Sequence, residues 1–331
     1  MRLLVLGGTR FVGRHLVEAA LTRGHQVTLF NRGRSHPGLF PEAEELHGDR
    51  MSDLSALDGR RWDAVLDVNG YVPRSVRASA GKLAGAVDLY VFISTISVYA
   101  HLEEPGVSEE SPVQEPPPGG EDAEEVTNES YGWLKALCER AAEEAMPGRV
   151  LHVRPGIQSG PHDYTGRFAW WVTRVALGGE VLAPGRPESP IQAVDARDLA
   201  TWVVRMTEER ATGVYNVTGP EPPLTMEGML AACREASGSD AVFTWVGDTF
   251  LAEHGIELPL WLTCEEEGFG RVISARARAR GLTLRPVEET ARDVLAWVAE
   301  DPEHRTPERL APAREAGLLR EWHRQRRGGQ G

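Results

Sequence analysis

The sequence lacks any apolar run approaching the roughly 20 residues needed to span a bilayer. Its first apolar run, Leu3 to Leu6, is too short for the core of a signal peptide and meets Gly7-Gly8 at once. We therefore expect a buried strand at this position, with no leader and no membrane partner.

Cysteines and metal-ligand patterns are also scarce. The three cysteines, Cys138, Cys233 and Cys264, form no zinc pattern and no obvious disulfide framework. His162-Asp163 has no second histidine at ligand spacing, so we predict no metal. This cysteine usage fits a reducing compartment, and we expect a cytoplasmic protein.

Positive charge is in deficit, with 36 Lys and Arg against 49 Asp and Glu and a formal net charge of -13. Such a surface repels a phosphate backbone, so we expect a small-molecule substrate and no nucleic acid. A length of 331 residues, 41% of them hydrophobic, is enough for two adjoining lobes.

Short apolar runs alternate with helical stretches, notably 74–84, along the first half of the chain. The runs are Leu3 to Leu6, Gln26 to Phe30, Leu46-His47, Ala64 to Val68, Tyr90 to Ile93 and Val150 to Val153. This alternation predicts an α/β fold, a Rossmann-type doubly wound parallel sheet with helices on both faces. Ligands of such sheets bind where the strands end.

The turn after the first run reads Gly7-Gly8-Thr9-Arg10-Phe11-Val12-Gly13. Glycines before a helix let backbone N–H groups approach a dinucleotide pyrophosphate, and Gly13 permits close helix–strand packing. We expect Gly7, Thr9, Arg10, Phe11, Val12 and Gly13 to contact the cofactor. A glycine-rich turn without a ligand is the alternative.

The second run ends in Asn31-Arg32-Gly33-Arg34, without the acid that usually binds the ribose of NAD. Arginine donors suit a ribose 2′-phosphate, so Arg10, Asn31 and Arg32 favour NADP(H) over NAD(H). Solvated loop cations are the alternative. Asp49 is expected to accept from the adenine amino group, or else to form a turn.

Tyr131 and Lys135 lie four residues apart, on one face of a predicted helix that runs to about Met146. Alone, this pair indicates little. It gains meaning from the hydroxyl-rich segment Ser94 to Tyr99, which follows an apolar strand at the edge where chemistry sits in α/β sheets.

Together these motifs resemble the extended and atypical short-chain dehydrogenase/reductase superfamily, in its NAD-dependent epimerase/dehydratase branch. The resemblance covers nearly the whole chain. It is carried by the glycine turn, Gly48-Asp49-Arg50, Ser94 to Tyr99, Tyr131 with Lys135, Arg154-Pro155-Gly156, Gly160-Pro161, Asp195-Ala196-Arg197-Asp198 and Tyr215-Asn216-Val217.

The resemblance implies a catalytic triad. Thr95 matches the Ser/Thr that hydrogen-bonds the reacting oxygen, with Ser94 as second choice. Tyr131 matches the general acid/base and Lys135 the residue that binds the nicotinamide ribose. A nearby ammonium is expected to lower the tyrosine pKa.

The resemblance also implies cofactor contacts from Arg50 and Pro155 and a homodimer. The expected activity is hydride transfer to or from a carbonyl or secondary alcohol of a small, sugar-like substrate, by a reductase or an epimerase. Two departures from the family pattern narrow the expected activity. Ile96 and Ser97 replace dehydratase carboxylates, and Arg10 replaces a glycine, as in atypical members of which one binds RNA. A non-catalytic dinucleotide-binding or RNA-binding member is therefore the alternative.

The family pattern predicts an interleaved second lobe. Residues 1–155 plus about 190–218 would form the dinucleotide-binding domain, about 156–189 plus 219–320 a smaller α/β substrate-binding lobe, and 321–331 a tail. Aromatic residues of this lobe would line a pocket or form core. An anion anchor is sought among Arg167, Arg174, Arg186, Arg271, Arg276 and Arg278. The acidic segment 103–129 is either a lid or a solvated loop.

Overall fold

The computed structural model describes residues 1–120, 123–301 and 306–328. Its strands are β1 (Arg2–Leu6), β2 (Gln26–Asn31), β3 (Glu44–His47), β4 (Ala64–Asp67), β5 (Leu89–Ile93), β6 (Val150–Pro155), β7 (Ile157–Ser159), β8 (Glu180–Pro184), β9 (Pro190–Ile191), β10 (Ala193–Asp195), β11 (Gly213–Val217), β12 (Leu224–Thr225) and β13 (Val242–Val246). Seven of them form a parallel sheet in the order β11-β6-β5-β4-β1-β2-β3. This confirms the predicted Rossmann-type fold class.

The helices are α1 (Phe11–Thr22), α2 (Pro73–Leu83), α3 (Asn128–Ala145), α4 (Arg167–Ala176), α5 (Ala196–Glu208), α6 (Met226–Ser237), α7 (Asp248–Glu253), α8 (Ala275–Ala279), α9 (Val287–Glu300) and α10 (Pro312–Gly328). Short 3-10 turns cover Ser55–Leu57, Ile96–Val98 and Cys264–Arg271. None of the described helices combines the length and apolarity needed to cross a bilayer.

Alternate residues of β1 divide the core into two layers. Leu3 and Val5 pack with α1 and α5 on one face of the sheet, whereas Leu4 and Leu6 pack with α2 and α3 on the other. All four side chains are buried. A strand covered on both faces needs apolar residues at every position, which is why its sequence is a continuous apolar run.

A second core lies between α4, α6 and α9, with β8 and β13 beside them. Phe168, Trp170 and Trp171 of α4 are buried there, so these aromatic side chains form core rather than line a pocket. The chain returns to the first lobe through α5 and β11, which pack on α1 and pair with β6.

The C-terminal segment is helical. We expected a helix over Arg320 to Arg327 that frays into the tail at 321–331, and α10 runs from Pro312 to Gly328. Trp322 of this helix is partly buried against the second core and lies 5.1 Å from Phe250 between ring centroids. Residues 329–331 of the predicted tail lie outside the described residues.

Candidate active site

The glycine turn between β1 and α1 takes a conformation that side chains would obstruct. Gly7 and Gly8 have φ of +109° and +98°, in the region that favours glycine. A Cβ added to Gly13 would lie 3.0 Å from the Cα of Gly8, so helix and turn are in close backbone contact. The turn is therefore a cradle that only a chain without these side chains can form.

The first turn of α1 is suited to an anion. Its N-terminal residue Arg10 makes no side-chain capping bond, and no acidic residue stands in the first turn. The free N–H groups and the helix dipole favour negative charge at this point. A dinucleotide pyrophosphate fits the cradle for both reasons.

The loop after β2 presents two unpaired cations beside the glycine turn. The Asn31 side chain accepts a hydrogen bond from the Gly33 backbone at 2.7 Å, which turns the chain sharply. Arg32 and Arg34 are exposed and have no hydrogen-bond or ion-pair partner among the described residues. Asp49 accepts from the Met51 backbone at 2.9 Å, and so forms the turn considered for it.

Arg50 faces the interior of the fold rather than the glycine turn. Its Nη1 and Nη2 donate to Oδ1 and Oδ2 of Asp67 at 2.6 and 2.7 Å, and Nη2 also donates to Ser79 Oγ at 2.8 Å. Both Nη groups are bonded inside the protein, and the expected cofactor contact of Arg50 stays a prediction. Asp67 is fully buried, and the sequence motif Gly48-Asp49-Arg50 does not indicate it as the partner of Arg50.

Tyr131 is held near Thr95 by the start of α3. Thr127 and Ser130 cap the helix reciprocally, with backbone-to-side-chain distances of 2.8 and 3.2 Å. Gly132 leaves no room for a Cβ against the Ser97 carbonyl, so α3 approaches the 96–98 turn closely. The Thr95 hydroxyl lies close enough to the Tyr131 phenol as a result to act on its pKa.

Burial raises the pKa of the Tyr131 phenol, while the Thr95 hydroxyl and the Arg167 guanidinium act to lower it. We expected a nearby ammonium, together with the positive nicotinamide ring, to lower this pKa, and Arg167 is the protein cation with the largest lowering effect. The net rise keeps the phenol protonated at neutral pH, so Tyr131 is a proton donor in this form.

Lys135 lies beneath the site, with 3% of its surface exposed. Its ammonium donates to the carbonyl oxygens of Gly70 at 2.7 Å and Ile93 at 2.8 Å, and lies 4.1 Å from the centroid of Phe92. Burial lowers its pKa to about 8. An ammonium has three donors, so one N–H remains for a ligand.

Two exposed tyrosines border the site and were missed in the sequence. The Tyr71 ring lies 6.5 Å from that of Tyr131, and burial together with the nearby Tyr164 raises the pKa of its phenol. The Arg10 guanidinium lies 4.1 Å above the Tyr164 ring. Arg10 therefore contacts the loop after β7 rather than the Arg32 loop. Tyr71 follows β4 at the ligand-binding edge, a position that could have drawn attention to it.

The end of β6 supports the site from below. Pro155 pairs in register with Val217 and is buried. Arg154 donates to Glu139 of α3 at 2.9 and 2.6 Å, which fixes this helix on the sheet. Thr95, Tyr131, Lys135 and the glycine turn thus surround one edge of the sheet, as the motif order predicted.

Fold and site together define a Rossmann-type α/β protein with a glycine turn suited to a dinucleotide. The chain belongs to the NAD dependent epimerase/dehydratase family, whose sequence model matches residues 3–218.

Individual relatives are more distant. The chain is 26% identical over 260 residues to the chloroplast stem-loop binding protein of 41 kDa b from Arabidopsis thaliana, across 72% of this chain and 63% of that protein. Its fold is similar to that of a UDP-glucose 4-epimerase, with a TM-score of 0.69 and 16% identity. The match covers 92% of this chain and 99% of that chain. It is also similar to a UDP-glucose 4-epimerase from Bifidobacterium longum in complex with NAD+ and UDP. This match has a TM-score of 0.64 and 18% identity, and it covers 91% of this chain and 99% of that chain.

Proposed function

We propose that this protein is an NAD(P)-dependent oxidoreductase, a reductase or an epimerase, that moves hydride to or from a carbonyl or secondary alcohol of a small, sugar-like substrate. The observation that carries the proposal is that Lys135 of α3 bonds to the Ile93 carbonyl at the end of β5, which places Thr95 and Tyr131 at the same edge of the sheet as the glycine cradle. Membership of the epimerase/dehydratase family supports this class of chemistry.

Each side chain has one task in this proposal. The bound nicotinamide supplies or accepts the hydride. Tyr131 donates its proton to the substrate oxygen during reduction and removes it during oxidation. Thr95 hydrogen-bonds the same oxygen, and the free N–H of Lys135 holds the cofactor ribose.

Elimination of water is not part of the proposal. Dehydration needs a carboxylate beside the reacting carbon, but Ile96 is buried and Ser97 accepts a hydrogen bond from Thr95 at 3.2 Å. Neither residue supplies an acid or base for that step.

The proposed cofactor is NADP(H) in preference to NAD(H). The unpaired guanidinium groups of Arg32 and Arg34 support it, because they extend from the loop that follows β2 and no acid stands there. The cofactor of the Bifidobacterium longum epimerase is NAD+, so this preference would separate the two proteins.

The small-molecule partner, the homodimer and the cytoplasmic location also remain proposals. The net charge of -13 supports a small-molecule partner. Light scattering of the purified protein would measure the oligomeric state, with twice the chain mass as the expected result.

RNA binding is the second candidate function. The similarity to a chloroplast stem-loop binding protein favours it, since both functions would then use one fold. Retention of a stem-loop RNA that weakens with salt, by a protein that turns over no carbonyl substrate, would support this candidate.

One experiment tests the main proposal. One sample of the purified protein is denatured, and the released nucleotide is identified. The binding of NADPH and of NADH to a second, folded sample is measured by fluorescence. Tightly retained NAD+ indicates an epimerase, whereas freely exchanging NADPH indicates a reductase. Failure of both dinucleotides to bind at millimolar concentration rejects the proposal.

A further inference from the structure

The arginines of the second lobe differ sharply in what they contact. Six of them were candidates for an anion anchor on sequence grounds. Five carry carboxylate partners: Arg174 with Glu315, Arg186 with Glu188 and Glu267, Arg271 with Glu267, Arg276 with Glu110, and Arg278 with Glu221. The sixth, Arg167, has no carboxylate within ion-pair distance among the described residues.

Arg167 is held in place by a short relay on the loop after β7. Its Nε donates to Thr165 Oγ1 at 3.2 Å, and Thr165 Oγ1 donates to Asp163 Oδ1 at 2.7 Å. The Thr165 backbone N–H donates to the same Asp163 oxygen at 2.9 Å. Asp163 is 1% exposed, and its Oδ2 has no partner among the described residues.

This relay leaves the outer edge of the guanidinium free. Only Nε is bonded, so the two Nη groups of Arg167 retain their donors. Two parallel N–H groups match the two oxygens of a carboxylate or phosphoryl group. Asp163 bonds to Thr165 and not to the guanidinium itself, so an oxyanion can still pair directly with the Nη groups of Arg167.

Arg167 begins α4, directly after the loop that borders the reaction centre. Three residues earlier on this loop, the Tyr164 ring lies 4.1 Å from the Arg10 guanidinium, and the Tyr71 ring lies 6.5 Å from that of Tyr131. The positive charge of Arg167 also acts to lower the pKa of the Tyr131 phenol. An oxyanion at Arg167 would therefore be attached to the molecule whose oxygen Tyr131 protonates.

We propose that Arg167 binds a carboxylate or phosphoryl group of the substrate, with Asp163 and Thr165 as positioning residues that orient the guanidinium. The inference rests on the proposed function and adds a substrate class, an alcohol or ketone that carries an oxyanion. Arg167 then selects acidic substrates over neutral ones with the same reacting group.

Calorimetric titration of inorganic phosphate and of acetate tests this site. Both anions are added at low ionic strength to the protein as purified and to the protein loaded with dinucleotide. The variants are Arg167→Ala, Arg167→Lys and Thr165→Val. The control is Arg210→Ala, which removes an exposed arginine paired with Asp88 near the opposite ends of the strands.

In the protein loaded with dinucleotide, whose pyrophosphate fills the glycine cradle, we expect one anion to bind per chain. Arg167→Ala should weaken binding at least about tenfold, with a smaller loss in Arg167→Lys and Thr165→Val and none in the control. Tighter phosphate indicates a phosphoryl group in the substrate, and tighter acetate a carboxylate.

Three results would overturn the proposal. They are anion binding to the dinucleotide-loaded protein that Arg167→Ala retains, no binding of either anion to the loaded protein at millimolar concentration, and displacement of the dinucleotide by the anion. Because dinucleotide binding is followed separately, its absence rejects the proposed function without deciding whether Arg167 binds an anion.

Discussion

Arg50 and Asp67 face each other edge to edge inside the first lobe, with N–O distances of 2.6 and 2.7 Å. Tyr90 donates to the same carboxylate at 2.6 Å. Burial opposes ionisation of Asp67, but Arg50 outweighs it and holds the pKa of this carboxyl below its usual value. The pair joins the loop after β3 to the end of β4.

Removing one member of this pair should destabilise the fold. Asp67→Ala leaves a buried guanidinium without its partner, and we expect the free energy of unfolding to fall by about 3–5 kcal/mol. Urea denaturation followed by tryptophan fluorescence measures the change. Asp88→Ala, which breaks the exposed pair with Arg210, is the matched control and should change little. Equal effects of the two variants would show that burial does not determine how much an ion pair contributes to the free energy of unfolding.

Lys135 should make stability depend on pH. Its pKa is lowered to about 8 from 10.5, so between these values the unfolded chain binds more protons than the folded one. The contribution of Lys135 to the free energy of unfolding therefore rises with pH across this window, by roughly 3 kcal/mol.

The test compares urea unfolding of the wild type and Lys135→Met at about pH 8 and about pH 10, near the lower and upper ends of this window. Lys82→Met is the control, since Lys82 is partly exposed and paired with Asp58. The difference between wild type and Lys135→Met should shift with pH, and that of the control should not. A constant difference would mean that burial does not lower the pKa of Lys135.

Tyr131→Phe should abolish turnover and spare the cofactor. Loss of the proton donor is expected to lower kcat by about 10²–10⁴-fold, while the Kd for dinucleotide stays nearly the same. Tyr215→Phe, which removes a hydroxyl from the edge strand β11, is the matched control. Full activity of Tyr131→Phe would remove the proposed acid/base role.

Arg32→Ala combined with Arg34→Ala should change cofactor choice. Both guanidinium groups are exposed and unpaired among the described residues, so their loss affects mainly a ligand phosphate. We expect NADPH affinity to fall about tenfold or more and NADH affinity to stay constant, measured by fluorescence titration. An equal loss for both dinucleotides would argue against recognition of a 2′-phosphate.

Gly13→Ala should weaken dinucleotide binding by opening the cradle. Its Cβ would lie 3.0 Å from both Cα and N of Gly8, so the helix or the turn must move. Gly81→Ala is the control, because that helical position has open space and should stabilise the protein by about 0.5–1 kcal/mol. Unchanged NADPH titration in Gly13→Ala would contradict a role for the close contact.

The sequence predicts the strands and helices better than the partners of individual side chains. Strands such as β1 were predictable because burial on both faces requires unbroken apolar runs. The partner of Arg50 was not, since Asp67 lies 17 residues away and meets it only when the sheet has formed. The free state of Arg167 could not be read from the sequence either. Whether Arg167 pairs depends on which carboxylates the fold brings close to it, and residue spacing in the sequence does not encode this.

The same limit applies to electrostatics. Tyr131 and Lys135 were correctly placed four apart on α3, but the ammonium turns to the backbone carbonyls of Gly70 and Ile93. Satisfying a buried cation with carbonyl oxygens takes precedence over pairing it with a phenol. Spacing on a helix therefore predicts proximity and not which atoms bond.

The burial of Lys135 gives the protein an internal reporter. Lys82 and Lys135 are the only lysines in the chain, so an amine-reactive reagent has only these two sites besides the N-terminus. Lys82 is partly exposed, whereas Lys135 is 3% exposed. The ratio of the two labelling rates, read by mass spectrometry, would measure how often the Lys135 ammonium becomes accessible to solvent, with the faster lysine as the internal standard.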